Sequence, residues 1–447
     1  MSLKLQNPDA TAAAATLPLS LSFCRSLEGV SIDELVHRFG SPLFVYSERV
    51  VRETIRRLRR AFESRYPRVE IASSYKTNYL NAICSMMHQE GAIAEIVSRM
   101  EYQKAKALGV AGKRIVFNGP HKPMALLIEA VHDGVVINMD HLDELRDLEQ
   151  IAEQSGRKLD VGLRVNLDCG VQPAWTRFGF NLESGQATEA VERIYSRGLL
   201  SLTGLHCHIG TSVRDVEAYR RAALKLVAFA YEMRDRFGAS IDSLDIGGGF
   251  ASSARLRTES PSSDREEPTF DEYAEAICGA LHSVLEPGHR PRLILESGRA
   301  LIDEAASLVT SIIALKHLPD GTPAYVADAG VNLLTTSSHY RFDLALADVA
   351  SNEVEASAAT ESVIYGPMCM NSDEVARASL PPLKRGQRMI VSPVGAYNNT
   401  QWWQFIEYRP NIVIVCEDGS VELLREAEDL SDIERRERLP AKFVFLP

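Results

Sequence analysis

Five short stretches hold residue types suited to chemistry on a small anionic ligand. In the first, Ala72-Ser73-Ser74-Tyr75-Lys76-Thr77-Asn78, a lysine follows the apolar run Val69-Glu70-Ile71-Ala72, and a helical pattern begins at once with Tyr79, Leu80, Ala82 and Ile83. A lysine at the carboxyl end of a parallel strand stands where α/β sheets bind ligands, and partial desolvation there lowers its pKa and makes the amine a nucleophile for Schiff-base chemistry. The same position is also an ordinary one for a solvated lysine, so its meaning rests on its company. In Leu205-His206-Cys207-His208-Ile209-Gly210-Thr211, two histidines two apart on a strand face one way. They read as a metal pair, as buried structural histidines, or as one flat imidazole laid over a planar cofactor. No acidic residue lies nearby in sequence to complete a metal site, and none is expected.

The third stretch, Leu244-Asp245-Ile246-Gly247-Gly248-Gly249-Phe250, is a strand running into three glycines, where missing Cβ atoms let backbone N–H groups converge on a phosphate. It lacks the Lys-Ser/Thr of a nucleotide loop and the spacing of a dinucleotide fingerprint, which favours a small phosphate-bearing cofactor. In Leu295-Glu296-Ser297-Gly298-Arg299 a carboxylate and a guanidinium three apart form either a local ion pair or, beside a phosphate, a bidentate anion clamp. The fifth stretch is Gly366-Pro367-Met368-Cys369-Met370-Asn371-Ser372-Asp373, joined by Val394-Gly395-Ala396-Tyr397. Taken alone, Cys369 reads equally well as a small buried apolar residue and Tyr397 as a half-buried strand aromatic.

Elements able to bring these stretches together alternate along the chain. Short apolar runs (Ile71, Ala94–Val97, Ile115–Phe117, Val135–Asn138, Asp160–Val165, Leu202–His208, Ser243–Ile246, Arg292–Leu295) are joined by helical segments, and eight such runs predict an α/β fold, a (β/α)8 TIM-type barrel. The chemistry-bearing residues fall at or just after strand ends, where a barrel keeps its site. Beyond residue 300 strand-like runs separated by Gly and Pro predict a second, β-rich domain. The expected division is 1–47, a leader and strand contributing to the β-rich domain, 48–300, the cofactor-binding barrel, and 301–447, the C-terminal β-rich domain. With 447 residues, 45% of them hydrophobic, the chain can fill both cores. Arg255 to Pro268 reads as a flexible surface loop. The net charge of −11, without a basic block, argues against nucleic acid or anionic membrane as partners. No apolar run approaches the roughly 18 residues of a membrane helix, and the leader, broken by Pro8 and Asp9, does not read as a signal peptide. Seven scattered cysteines without a CxxC pair predict reduced thiols in a cytoplasm.

In combination and order the five stretches resemble the fold-type III pyridoxal-phosphate decarboxylases, the diaminopimelate and ornithine decarboxylase family, from about Pro42 to Pro410. The resemblance implies pyridoxal 5'-phosphate on Lys76, His208 stacked on its ring, and Thr211, Gly247, Gly248, Gly249, Gly298 and Arg299 around its phosphate. It implies Glu296 at the pyridine nitrogen, with Arg164, Glu95 and Tyr397 on the cofactor, and Cys369 presented by the partner subunit of a homodimer. Loss of CO2 leaves a carbanion that the ring absorbs when its nitrogen is protonated, and Glu296 holds that proton. Cys369 is then the candidate donor that reprotonates Cα. Similar racemases place an arginine at the ring nitrogen, so Glu296 points to decarboxylation.

The chain departs from the family pattern where substrate is read. Met370 stands where diaminopimelate decarboxylases carry a glutamate for the distal amine, and Thr336 lies in Thr335-Thr336-Ser337-Ser338, where they carry an Arg-Pro for the distal carboxylate. Met370, Asp373, Thr336 and Tyr340 are the candidate substrate contacts, and Trp402-Trp403-Gln404-Phe405 reads either as a larger or less polar distal pocket or as core of the β-rich domain. These changes predict an amino-acid conjugate as substrate, as in family members of siderophore or antibiotic pathways. The alternatives are a genuine meso-diaminopimelate decarboxylase, a racemase, and a non-catalytic pyridoxal-phosphate-binding protein.

Overall fold

The computed structural model describes residues 22–257, 267–347 and 359–445. One of its two main sheets is a closed barrel of eight parallel strands: β1 (Val69–Ser74), β2 (Ile93–Ile96), β3 (Ile115–Phe117), β4 (Val136–Met139), β5 (Leu159–Asn166), β6 (Leu200–His206), β7 (Ser243–Asp245) and β8 (Arg292–Leu295). Each is short and buried on both faces, so it reads as a continuous apolar run rather than an alternating one. Closure is made where Leu295 pairs with Ile71, joining β8 to β1. The expected eight runs are these eight strands.

Among the described residues eight helices cover the outside, from Glu48–Glu63 to Phe270–Val284. Their starts are set by side chains that satisfy otherwise orphaned N–H groups: Ser98 caps Arg99–Ala107, and Thr269 with Glu272 forms a capping box on Phe270–Val284. Inside the barrel, glycines make room for polar side chains. A Cβ on Gly162 of β5 would stand 2.0 Å from Asn138 Oδ1, and one on Gly204 of β6 would stand 2.6 Å from Ser243 Oγ.

The second sheet is organised around the long strand Ala306–His317, which pairs with Arg388–Ser392, Pro323–Ala327 and the N-terminal strand Leu43–Ser47. Leu43–Ser47 in turn pairs with Ile412–Val415, so residues from both ends of the chain build this sheet. The two sheets are locked together beside Lys76. Asn78 Nδ2 donates to Tyr46 Oη (2.9 Å) and to Gly395 O (3.0 Å), Asn399 Nδ2 donates to Tyr46 Oη (2.8 Å), and Tyr397 N donates to Thr77 O (2.9 Å). Gly395 is required here, because a Cβ would fall 1.8 Å from Ile302 O.

One expectation is corrected and two fall outside the described residues. Arg255–Leu256, at the start of the expected loop, pair antiparallel with Tyr340–Arg341 as a separate two-stranded sheet. Residues 258–266 of that loop and 1–21 of the 1–47 leader segment are not among the described residues. No helix among the described residues is long and apolar enough to cross a membrane.

Candidate active site

Closing the barrel brings the ends of strands distant in sequence to one mouth, around a cavity of about 240 Å³. Lys76 lies two residues beyond β1, and its Nζ donates to Glu95 Oε2 at 2.5 Å. Glu95, on β2, is buried and takes a second bond from Ser74 Oγ (2.6 Å). Burial by itself would depress the Lys76 pKa; the Glu95 carboxylate, with Tyr397 and Glu296 beyond it, more than offsets that and holds the ammonium well above its usual range. Lys76 is therefore a cation paired with Glu95. Its amine becomes nucleophilic only after handing its proton on.

Glu296 faces Lys76 from the end of β8. It accepts from Asn118 Nδ2 at 2.5 Å through one oxygen and from His206 Nε2 at 3.1 Å through the other. Burial pushes its pKa up, but His206 and Lys76 pull further the other way, and the carboxylate is held well below the ordinary range. Asp245, buried beside it, is driven well upward by burial and by the Glu296 charge. The sequence offered His206 no acidic neighbour; the fold supplies two from other strands. His206, Asp245 and Glu296 place ligand-type atoms within 4.8 Å of one another, but His206 is spent on Glu296, and Asp245 Oδ1 accepts from Gly247 N (2.8 Å).

His208 projects from the turn after β6. Burial, with Lys76 and Arg164 nearby, pushes its pKa down to about 3, so the ring is neutral, and its Nδ1 accepts from Gly248 N at 3.0 Å. That bond leaves the proton on Nε2 and fixes the plane of the imidazole. Trp175 packs edge-on against the ring, with centroids 5.0 Å apart. Arg164, on β5, lies 3.5 Å from Asp140 and over the Phe178 ring at 4.7 Å.

The glycine run behaves differently from expectation. Two of its three N–H groups are already used, Gly247 by Asp245 and Gly248 by His208, so they do not converge on an anion. Space is the stronger reason for the glycines: a Cβ on Gly248 would lie 2.2 Å from Glu296 O, and one on Gly249 2.2 Å from Gly210 O. A stack of aromatics holds the loop. Phe250 lies on Tyr273 (centroids 4.4 Å apart), Tyr219 Oη donates to Gly248 O (2.9 Å), and Tyr273 Oη donates to Val213 O (2.7 Å). Burying three such rings stabilises the region by several kcal/mol, at about 1.5–3 kcal/mol each.

Thr211, Ser212, Gly249, Gly298 and Arg299 line one end of the cavity. Arg299 pairs with Asp303 (2.8 Å), not with Glu296, and its guanidinium lies 3.9 Å from the Tyr340 ring centre and 5.2 Å from that of Tyr397. Its buried Nε has no hydrogen-bond partner. A phosphorylated aromatic aldehyde fits these residues: a cation with an unspent donor and two hydroxyls at one end, a neutral flat imidazole along the wall, and an ionised carboxylate and a lysine deeper in.

The four candidate substrate contacts lie off the cavity of their own chain. Tyr340 supports Arg299 from behind. Thr336 is buried and donates through N and Oγ1 to Asn398 Oδ1 (3.3 and 3.1 Å). Asp373 is corrected to a loop anchor, since its carboxylate accepts from Val331 N and Met368 N, each at 2.8 Å. Met370 is half-buried and Cys369 exposed. Trp402 packs against Arg409 (5.3 Å), while Trp403 and Phe405 are exposed, so this aromatic run does not line the cavity. The sequence reading missed Asn118, Trp175 and Phe178, which do. A position directly after a strand was the signal available for Asn118; the two aromatics sit in a long loop with no periodicity to mark them.

A lysine facing a carboxylate whose pKa is held below its usual range, across a closed barrel, defines a class, the Schiff-base enzymes built around a protonatable ring. A family model described as "Pyridoxal-dependent decarboxylase, pyridoxal binding domain" matches residues 52–303, more than half of the chain. The chain is 30% identical over 413 residues to the diaminopimelate decarboxylase of Aquifex aeolicus, covering 90% of this chain and 93% of that one. It is 29% identical over 425 residues to that of Bacillus subtilis (91% and 93%). The crystal structure of diaminopimelate decarboxylase from M. jannaschii aligns with a TM-score of 0.84 at 26% identity, over 94% of this chain and 97% of that one. The chain belongs to the pyridoxal-dependent decarboxylase family. It is an enzyme, a decarboxylase that uses pyridoxal phosphate.

Proposed function

We propose that this enzyme decarboxylates meso-diaminopimelate, a reading carried by full-length similarity to curated diaminopimelate decarboxylases. Those names favour this reading over a conjugate of a siderophore pathway, for which they offer no support. Pyridoxal phosphate, when bound, supplies a sink for the electron pair left at Cα as CO2 departs. The chain's residues do the rest in this proposal. Lys76 would hold the cofactor covalently, Glu296 would keep a proton on its ring nitrogen, His208 would pack against the ring, and Thr211, Gly249, Gly298 and Arg299 would hold the phosphate. Arg164, Glu95 and Tyr397, which line the same cavity, would complete its binding.

One observation favours a second reading, a substrate with a different distal group. Methionine at 370 cannot bind an ammonium, and both polar groups of Thr336 already serve Asn398. The assay that separates the two measures CO2 and amine release from meso-diaminopimelate, lysine, ornithine and a panel of amino-acid conjugates by enzyme saturated with cofactor. A kcat/KM on the order of 10⁴ M⁻¹s⁻¹ or above on meso-diaminopimelate establishes the first reading. Turnover confined to another substrate establishes the second, and inversion without CO2 would make the enzyme a racemase.

The site is proposed to be shared by two copies of the chain in a homodimer, in a cytoplasm. Cys369 supports the first point, being exposed and off its own chain's cavity, where a donor to Cα would have to come from a neighbour. The seven unpaired cysteines support the second. Mixing inactive Lys76→Ala with inactive Cys369→Ala subunits should return roughly a quarter of parental activity, because half of the dimers are hybrids and each hybrid carries one intact site. Verified hybrids without activity would place Cys369 in its own subunit's chemistry or outside it.

A further inference from the structure

Five side chains from five strand ends form one unbroken line beneath the cofactor site: Lys76 Nζ on Glu95 Oε2 (2.5 Å), Glu95 Oε1 on Asn118 Nδ2 (3.1 Å), Asn118 Nδ2 on Glu296 Oε1 (2.5 Å), and Glu296 Oε2 on His206 Nε2 (3.1 Å). Asn118 is the middle link. Its single amide nitrogen gives one proton to each carboxylate. Its oxygen accepts from Asn138 Nδ2 at 2.9 Å, which decides which end of the amide faces the two acids. Asn138 has room for its own side chain only because residue 162 is glycine. The arrangement is built by β3, β4 and β5 together.

We infer that Asn118 is a positioning residue that couples the carboxylate serving Lys76 to the carboxylate serving the ring nitrogen, so that both remain acceptors at once. Two buried carboxylates this close repel, and without a donor between them one takes up a proton. The titratable groups facing the link are Lys76 and Glu95 on one side and Glu296, His206 and Asp245 on the other; Lys122, which donates to Asn138 O (3.0 Å), is paired with Glu144 (2.6 Å). If the coupling fails, the ring nitrogen loses its anionic partner or Lys76 loses its proton acceptor, and hold on the cofactor weakens.

This rests on the cofactor assignment, and the test keeps the two apart. Cofactor-free parent and variants are titrated with pyridoxal 5'-phosphate between about pH 6 and pH 8.5, following visible absorbance, with melting curves recorded alongside. The parent should bind with little dependence on pH. Asn118→Asp should lose roughly tenfold or more in affinity at the alkaline end and regain part of it at the acid end, where the protonated carboxyl donates to one of the two carboxylates. Asn118→Ala should lose a similar factor and regain nothing. Binding by both within about twofold of parent at every pH, or equal losses without the acid recovery, overturns the coupling and leaves at most a packing role. If Asn118→Asp does not fold, Asn138→Ala decides, since it frees the amide but keeps it: affinity should fall about threefold or more, and an unchanged value overturns the inference. A parent that takes up no pyridoxal phosphate would refute the cofactor assignment instead.

Discussion

Lys76→Ala is expected to lower decarboxylation by at least about 10⁴-fold and to remove the covalent link to the cofactor. Among the described residues no other lysine lines the cavity: Lys122, the other buried lysine of this region, has its ammonium on Gly119 O, Asn138 O and Glu144. Glu95 would be left as a buried carboxylate without its cation, which also costs affinity for the cofactor. The measurements are CO2 release by cofactor-saturated enzyme and mass analysis after borohydride reduction, which should retain the cofactor's mass on the parent and not on the variant. Turnover above roughly 1% of parent, or a retained covalent adduct at another lysine, would move the nucleophile elsewhere.

The second large effect is expected further along the line, at Glu296. Glu296→Gln keeps the shape and one acceptor for His206 but removes the charge that holds a proton on the ring nitrogen, and kcat should fall by about 10²–10³-fold with a much smaller change in KM. The sign of its pH behaviour follows from its lowered pKa. A carboxylate held below its usual value is ionised throughout the neutral range and contributes fully above the ordinary carboxylate pKa, losing that contribution only as pH falls through the lowered value. The parent's pH–rate profile should therefore show no acid limb from Glu296 above about pH 5, and His208, pushed down to about 3, should add none. A variant within roughly threefold of parental kcat would show that the ring needs no anionic partner here.

Much of the molecule was determined by the sequence by itself. Eight apolar runs with helical segments between them specify a parallel barrel, because strands buried on both faces must be continuous in hydrophobicity and parallel neighbours need long crossovers. Lys76, His208, Glu296 and Arg299 announce themselves through their places at strand ends, and their order along the chain carries the resemblance to a decarboxylase family. What periodicity states is the type of an element and the direction of its side chains. It does not state which side chains meet across a barrel, since that depends on closure and register.

Only the tertiary structure decided those meetings. Glu95 and Glu296 are 201 positions apart in numbering and share one amide because β8 closes on β1 and β3 lies two strands further round. His206 finds its carboxylate beyond β8, because β6 and β8 flank β7 in the barrel. The glycine run was legible as a place lacking Cβ atoms, but whether its N–H groups stayed free depended on Asp245 and His208 reaching them first. Asp373 looked like a substrate contact by its neighbours in sequence; a short loop folding back on its carboxylate made it an anchor. A hydrogen bond is fixed by distances of a few tenths of an ångström between atoms from separate elements, and local sequence spacing does not specify distances of that kind.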